Sequence, residues 1–358
     1  MGPLISADSH VVPHPDFWSE YLPSSLRDRA PRLERTDKGD FVVFEGNRSP
    51  VMALNSQSGR DKDDFTFSHP RWEDQRAGGW DPAARVADQE IDGVSAEVIY
   101  GGGPLRSTDQ ELYFASHAAY NDWLADYCSH APDRLVGVAY IPFDSVESAV
   151  KEVRRVAARG LRSTLIQARA PQGSWNDPQW APLWEALVET GMPAGLHVGF
   201  SFGRNMRFQD PAGFMTDLVM TKMEMAEPIA ELLFGGVLER YPDLKIISVE
   251  AYAGWLAFMA EYVDHAWETH RGWLDLPLTM KPSDYIRRQV YATFIEDPVG
   301  VRERHTIGID NLMWSSDYPH GESTWPKSRD WVEKSLADLP EAEVRKIVCD
   351  NVKNLYHL

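Results

Sequence analysis

Apolar residues along this chain fall into two alternating patterns. Short, nearly continuous apolar runs are followed by longer stretches in which apolar positions step by three and four. The short runs predict strands at Leu4–Asp8, Ala96–Tyr100, Leu135–Ile141, Arg162–Ala168, Ala194–Val198, Lys245–Glu250, Gln289–Phe294 and Leu312–Asp317. The longer stretches predict helices near 81–92, 109–130, 145–159, 179–190, 214–240, 253–270, 297–306 and 327–348. Local signals agree: Asp81 followed by Pro82 suits a helix start, and Gly160 and Gly191 sit where helices should end. In 253–270, Trp255, Met259, Tyr262, Val263, Ala266 and Trp267 share one face of a helix.

Strand–helix alternation of this kind predicts an α/β fold with a parallel sheet, and eight repeats close it into a single (βα)8 TIM barrel. Residues 1–358 then form one domain, since barrels routinely reach this length. Two segments break the rhythm. Residues 19–79 are too long for a strand–helix loop and read as an N-terminal insertion, with Asp40–Gly46 a hairpin strand inside it. Residues 199–213, rich in Gly, Phe and Arg, read as a long loop after strand five.

Charge changes the picture of partners. The chain carries 36 basic and 54 acidic residues, a formal net charge of −18. A surface this acidic repels phosphate backbones and anionic lipid, which leaves a small-molecule substrate and argues against nucleic acid or membrane. Two cysteines, Cys128 and Cys349, make neither a disulfide framework nor a thiolate metal site. With no signal-peptide pattern at the start, the expected location is cytoplasmic.

In a parallel barrel the C-terminal strand ends converge on one mouth. Strand one ends in Asp8-Ser9-His10, and the period of two lets Asp8 and His10 face the same side. Strand five carries His197, strand six ends in Glu250, and strand eight ends in Asp317, with His320 three residues on. Each alone has an ordinary explanation: a satisfied core histidine, a turn-capping aspartate or a surface histidine. Together they bring several carboxylates to one end of one barrel. Burying those is prohibitively costly unless a cation neutralises them, so a divalent metal is the simplest solution.

The segments ADSHV, GLHVGF, YPDLKIISVEAYAGWL and LMWSSDYPHGESTWP resemble the amidohydrolase superfamily, in the branch of aminocarboxymuconate-semialdehyde decarboxylase and related aromatic-acid decarboxylases. The resemblance runs from Ile5 to the closing Asn351–Leu358. It implies that the strand-one ligand pair falls on Asp8 and His10, with Asp8 in place of the usual histidine. The strand-five histidine falls on His197 and the strand-eight aspartate on Asp317. Glu250 stands where many members have histidine, and Arg162–Ala168 lacks the lysine that bridges two metals in some relatives.

Three readings follow. In one, Asp8, His10, His197 and Asp317 hold a single Zn²⁺ or Mn²⁺, and Glu250 or His320 serves as general acid or base. The reaction is then non-oxidative decarboxylation, or hydrolysis, of a small carboxylated, cyclic or aromatic compound. In the second, Glu250 and His320 complete a site for two Fe ions, Glu250 binding the second ion or bridging the pair. The enzyme is then a non-haem monooxygenase like the natural-product tailoring relatives of this superfamily. The third is a non-catalytic binding barrel. Arg204 and Arg207 are candidate anion clamps, and Trp80, Phe200, Phe202 and Trp325 candidate aromatic walls of the substrate pocket. His117, His130, His265 and His270 are placed on outer helices away from the mouth, and the aromatic face of 253–270 suits barrel packing or a homodimer contact.

Overall fold

The computed structural model describes residues 2–199 and 206–358. The first strand, β1 (Leu4–His10), is buried along its whole length. Four short antiparallel strands follow: β2 (Arg32–Thr36), β3 (Gly39–Phe44), β4 (Asn47–Met52) and β5 (Ser68–His69). They form the inserted segment, and β3 is the hairpin strand expected from its apolar run. The barrel resumes with β6 (Val94–Tyr100), β7 (Leu135–Tyr140), β8 (Ser163–Leu165), β9 (Ala194–His197), β10 (Ile246–Val249), β11 (Val290–Phe294) and β12 (Leu312–Trp314).

The parallel order is β1-β6-β7-β8-β9-β10-β11-β12, so all eight expected strands are present in chain order. The sheet closes where β1 meets the chain just beyond β12. There Asp317 N donates to Asp8 O at 3.1 Å, His10 N to Tyr318 O at 2.6 Å, and Ser316 N to Ser6 Oγ at 2.8 Å. Closure thus joins the two segments that carry Asp8, His10 and Asp317. This is a (βα)8 barrel with helices between the strands.

Helix starts follow the capping chemistry. Asp81 Oδ1 accepts from Ala83 N and Ala84 N ahead of Pro82–Asp92, and Gly93 ends that helix in the left-handed conformation. Ser145 caps Val146–Ala158 in the same way. Three expected helices are divided. The segment 214–240 forms Pro211–Thr221, Ala226–Phe234 and Val237–Arg240, with Gly236 at φ 74° breaking the last two apart. Around 297–306 the chain turns at Glu303, and beyond 327 Pro340 separates Ser328–Ser335 from Glu341–Arg345. Among the described residues no helix is long and apolar enough to cross a membrane.

Candidate metal centre

Two strand-end carboxylates owe their aim to unusual backbone. Glu250 lies one residue past β10 at φ 58°, and Asp317 lies three past β12 at φ 56°. Non-glycine residues rarely adopt this conformation, and it persists where surrounding structure imposes it, commonly at functional sites. Here Glu250 N donates to Thr293 Oγ1 at 2.8 Å on the neighbouring strand. Asp317 N is held by Asp8 O in the closing seam. Both side chains are thereby turned over the barrel mouth.

His10 is the hub. Its Nε2 lies 3.0 Å from Asp317 Oδ1, 3.4 Å from Asp8 Oδ1 and 3.6 Å from Glu250 Oε2. His197 Nε2 lies 3.4 Å from Glu250 Oε2 and 3.7 Å from Asp8 Oδ1. The other nitrogen of His197, Nδ1, is 2.7 Å from Val198 O, which makes it the protonated nitrogen and leaves the Nε2 lone pair toward the carboxylates. His320 stacks on His10 with ring centroids 3.8 Å apart and places Nδ1 3.1 Å from Asp317 Oδ1.

These contacts have the character of lone pairs gathered around shared space rather than of hydrogen-bonded pairs. Asp8 Oδ1 and Oδ2, His10 Nε2 and Asp317 Oδ1 are buried and make no well-formed hydrogen bond with any described residue, close as they lie to one another. A hydrogen-bonded network satisfies such atoms; a ligand sphere does not, because its donors face an ion. The donor atoms form two overlapping groups, Asp8–His10–His197–Glu250 and His10–Glu250–Asp317–His320, each within 4.8 Å. Oxygen and imidazole donors of this kind suit manganese, zinc or iron. On both counts the residues fit a divalent ion.

Electrostatics show what the cluster does on its own. Burial pushes the His10 imidazole down, but Asp8, Asp317 and Glu250 together outweigh it and raise its pKa to about 10. The Glu250 carboxyl is raised by burial, yet Lys222 and the two imidazoles bring it well below the usual range. Asp317 is likewise held below its ordinary value, burial being overcome chiefly by His320. Three carboxylates pull positive charge inward.

Sequence reasoning overlooked Lys222. Its Nζ sits 3.0 Å from Glu250 Oε1 and 3.9 Å from Glu322 Oε2, and it lines the same cavity as the cluster. The helical pattern of 214–240 offers no hint, because Lys222 lies just where that stretch turns between two helices. The cavity measures about 360 Å³ and is walled by Leu54, Met206, Phe208, Phe214 and Leu218 opposite His10, His197, Glu250 and His320.

Other candidates fall elsewhere. Arg207 spends its guanidinium on Asp217, with Nε and Nη2 at 2.9 and 2.8 Å, so it is not free to clamp a substrate. Trp325 packs away from the cavity, its ring under Arg76 at 3.7 Å and its Nε1 bonded to Asp88 O at 3.0 Å. Trp80 does not line the cavity either. Arg204, Phe200 and Phe202 lie outside the described residues. His117 corrects the outer-ring assignment: it is buried and lines a second cavity at the mouth, because its helix packs against β7.

A family model described as Amidohydrolase matches residues 65–358. The chain belongs to the amidohydrolase family. It is a metal-dependent enzyme of the lyase and hydrolase class. The 2-amino-3-carboxymuconate-6-semialdehyde decarboxylase of Dictyostelium discoideum is 23% identical over 250 residues, covering 67% of each chain. Among solved structures, an amidohydrolase from Mycobacterium avium subsp. paratuberculosis K-10 superposes with TM-score 0.79 at 21% identity, covering 99% of both chains. A dihydroxybenzoic acid decarboxylase from Polaromonas sp., solved with manganese and 2-nitroresorcinol, superposes with TM-score 0.65 at 20% identity over 100% of this chain and 98% of its own. The fold of this amidohydrolase is therefore that of the family.

Proposed function

We propose that this amidohydrolase catalyses non-oxidative decarboxylation of a hydroxylated aromatic or related unsaturated carboxylic acid, using one Mn²⁺ or Zn²⁺. The observation that carries this reading is the gathering of Asp8, His10, His197, Glu250 and Asp317 into two overlapping donor groups that share His10 and Glu250, beside a cavity with an apolar wall. The decarboxylases among its relatives support the reaction class. When bound, the ion supplies Lewis acidity toward a substrate carboxylate and an adjacent hydroxyl oxygen.

The chain's own residues do the rest. Asp8, His10, His197 and Asp317 hold the ion, and Glu250 completes the acidic rim. Leu54, Phe208, Phe214 and Leu218 receive the ring and exclude water from it. Lys222, whose ammonium faces the cavity, draws the substrate carboxylate in. His320, anchored through Nδ1 to Asp317, delivers a proton from Nε2 to the ring carbon. The electron pair of the breaking carbon–carbon bond becomes the new carbon–hydrogen bond, and CO2 departs.

The two overlapping donor groups, which share His10 and Glu250, favour a second reading: two iron ions and O2-dependent hydroxylation. One experiment separates them. Protein purified without added metal is assayed for metal by plasma mass spectrometry, then for CO2 release from hydroxybenzoates and for O2 uptake. About one manganese or zinc per chain with CO2 release supports the decarboxylase. About two irons per chain with reductant-dependent O2 uptake and no CO2 release overturns it.

A further inference from the structure

Beside the metal cavity lies a second one, also about 360 Å³. Arg106, Tyr113, His117, Tyr140, Phe143 and Gln167 line it. Gly102 and Gly199 line both cavities, so among the described residues the lining they share carries no side chain. Gly102 is the middle of three glycines after β6, with φ of 89°, 67° and 86° for Gly101, Gly102 and Gly103. A Cβ at Gly102 would meet the Tyr120 ring at 2.9 Å, and one at Gly103 the Tyr140 ring at 3.0 Å. Only bare backbone passes here.

The chemistry of the second cavity differs from that of its neighbour. The chain carries 54 acidic residues, yet among the described residues none lines this cavity, whereas Arg106 does. Arg106 is exposed and makes no ion pair or hydrogen bond with any described residue, so its fork is available to a ligand. His117 Nδ1 lies 2.9 Å from Tyr113 O, and burial keeps the imidazole neutral, lowering its pKa to about 4. It therefore donates to Tyr113 and adds no charge that competes for an anion. Phe143 and Tyr113 supply apolar surface, and Gln167 an amide.

We propose that this cavity is a subsite in which Arg106 binds a carboxylate at the far end of an extended, two-ring-scale substrate whose reacting end lies at the metal centre. The placement of the near end rests on the function proposed above. A guanidinium engages a carboxylate through two parallel hydrogen bonds, so the subsite selects dicarboxylates over monocarboxylates of the same length.

Calorimetric titration of the manganese-loaded protein tests this with biphenyl-4-carboxylate, biphenyl-4,4′-dicarboxylate and 4′-phosphonobiphenyl-4-carboxylate. The dicarboxylate should bind roughly ten- to hundredfold tighter than the monocarboxylate, the range of a charge-assisted hydrogen-bonded pair. Arg106→Ala should erase that preference and leave the monocarboxylate unchanged, while Arg106→Lys should restore part of it. Arg106 is exposed, so neither variant disturbs the core. Equal binding of mono- and dicarboxylate, no binding of any of the three, or a preference that survives Arg106→Ala overturns the subsite. Tighter binding of the phosphonate assigns the anion as phosphoryl and overturns the carboxylate. An Arg106-dependent preference that is indifferent to removal of manganese upholds the subsite while sinking the function proposed for the metal centre.

Discussion

Lys222 and Glu250 divide the two oxygens of one carboxylate between opposite tasks. Oε1 lies 3.0 Å from Lys222 Nζ, while Oε2 faces His197 Nε2 at 3.4 Å and His10 Nε2 at 3.6 Å. Burial works against the ammonium, but Glu250 and Glu322 overcome it and raise its pKa above the ordinary lysine value, so it stays charged. Lys222→Met removes the counter-charge that orients Glu250 and should lower kcat roughly ten- to hundredfold, as loss of such outer contacts commonly does. Lys222→Arg should retain more of the activity. Unchanged turnover in Lys222→Met, with metal content verified, would remove Lys222 from the mechanism.

Asp317 should couple metal to stability. A ligand that binds only the folded chain at about a hundred times its Kd adds about 2.7 kcal/mol of stability, so manganese should raise the melting temperature of the wild type. Asp317→Asn keeps the shape and tolerates the left-handed backbone at φ 56°. The variant should fold and lose the manganese-dependent rise. Retention of the full rise would exclude Asp317 as a ligand. Without an ion the surrounding carboxylates raise the His10 pKa and favour its protonated form. Metal uptake should therefore release protons, which titrations in buffers of different ionisation enthalpy detect.

The barrel, and the meeting of its strand-end carboxylates and imidazoles, are readable because each rests on a local signal. Short, nearly continuous apolar runs mark buried parallel strands, and strand ends of one barrel share one mouth whatever the intervening chain does. That rule brings Asp8, His10, His197, Glu250 and Asp317 to one mouth, and the resemblance falls on four of the same residues. What escaped is what tertiary packing decides. Arg207 looked available until Asp217, ten residues on, occupied its fork. Trp325 looked like a pocket wall but packs against Arg76 and Tyr318. His117 sits on a helix that packs against β7, and helical period cannot say which histidine reaches a cavity at the strand ends. Lys222 lies at a turn between helices, where no periodic signal survives.

Arg85 shows how the strand-one donors are braced from below. It is fully buried, with Nε 2.5 Å from Glu97 Oε2 and Nη1 2.7 Å from His10 O and 3.3 Å from Gly78 O. Arg85→Met strands the Glu97 carboxylate in the core and should cost about 3–5 kcal/mol of stability. Adding Glu97→Gln should recover much of that loss, because the cost comes chiefly from the unpaired charge. Denaturant unfolding of the two single variants and the double variant closes the cycle. Additive losses would mean that the pair is not coupled.

His117 sets an acid limit on stability that is independent of the metal centre. Burial lowers its pKa to about 4, against about 6.5 for an exposed histidine. Above pH 6.5 the imidazole is neutral in both folded and unfolded chains and contributes no pH dependence. As pH falls below 6.5 the unfolded chain takes up a proton that the folded chain refuses, so stability drops until about pH 4, where both are protonated. A pKa lowered from about 6.5 to about 4 corresponds to about 3 kcal/mol in all, of which about 2 kcal/mol falls between pH 7 and pH 5. Asp92 works in the opposite sense, since burial raises its pKa to about 6 and its protonation on acidification relieves a buried charge. The His117 contribution is therefore read by difference. Urea unfolding of wild type and His117→Gln at pH 7 and pH 5 should show the gap between them shrinking, or reversing in favour of the variant, by about 2 kcal/mol at the lower pH. A gap that stays constant between the two pH values would mean that His117 is protonated equally in both states and is not held neutral beside the second cavity.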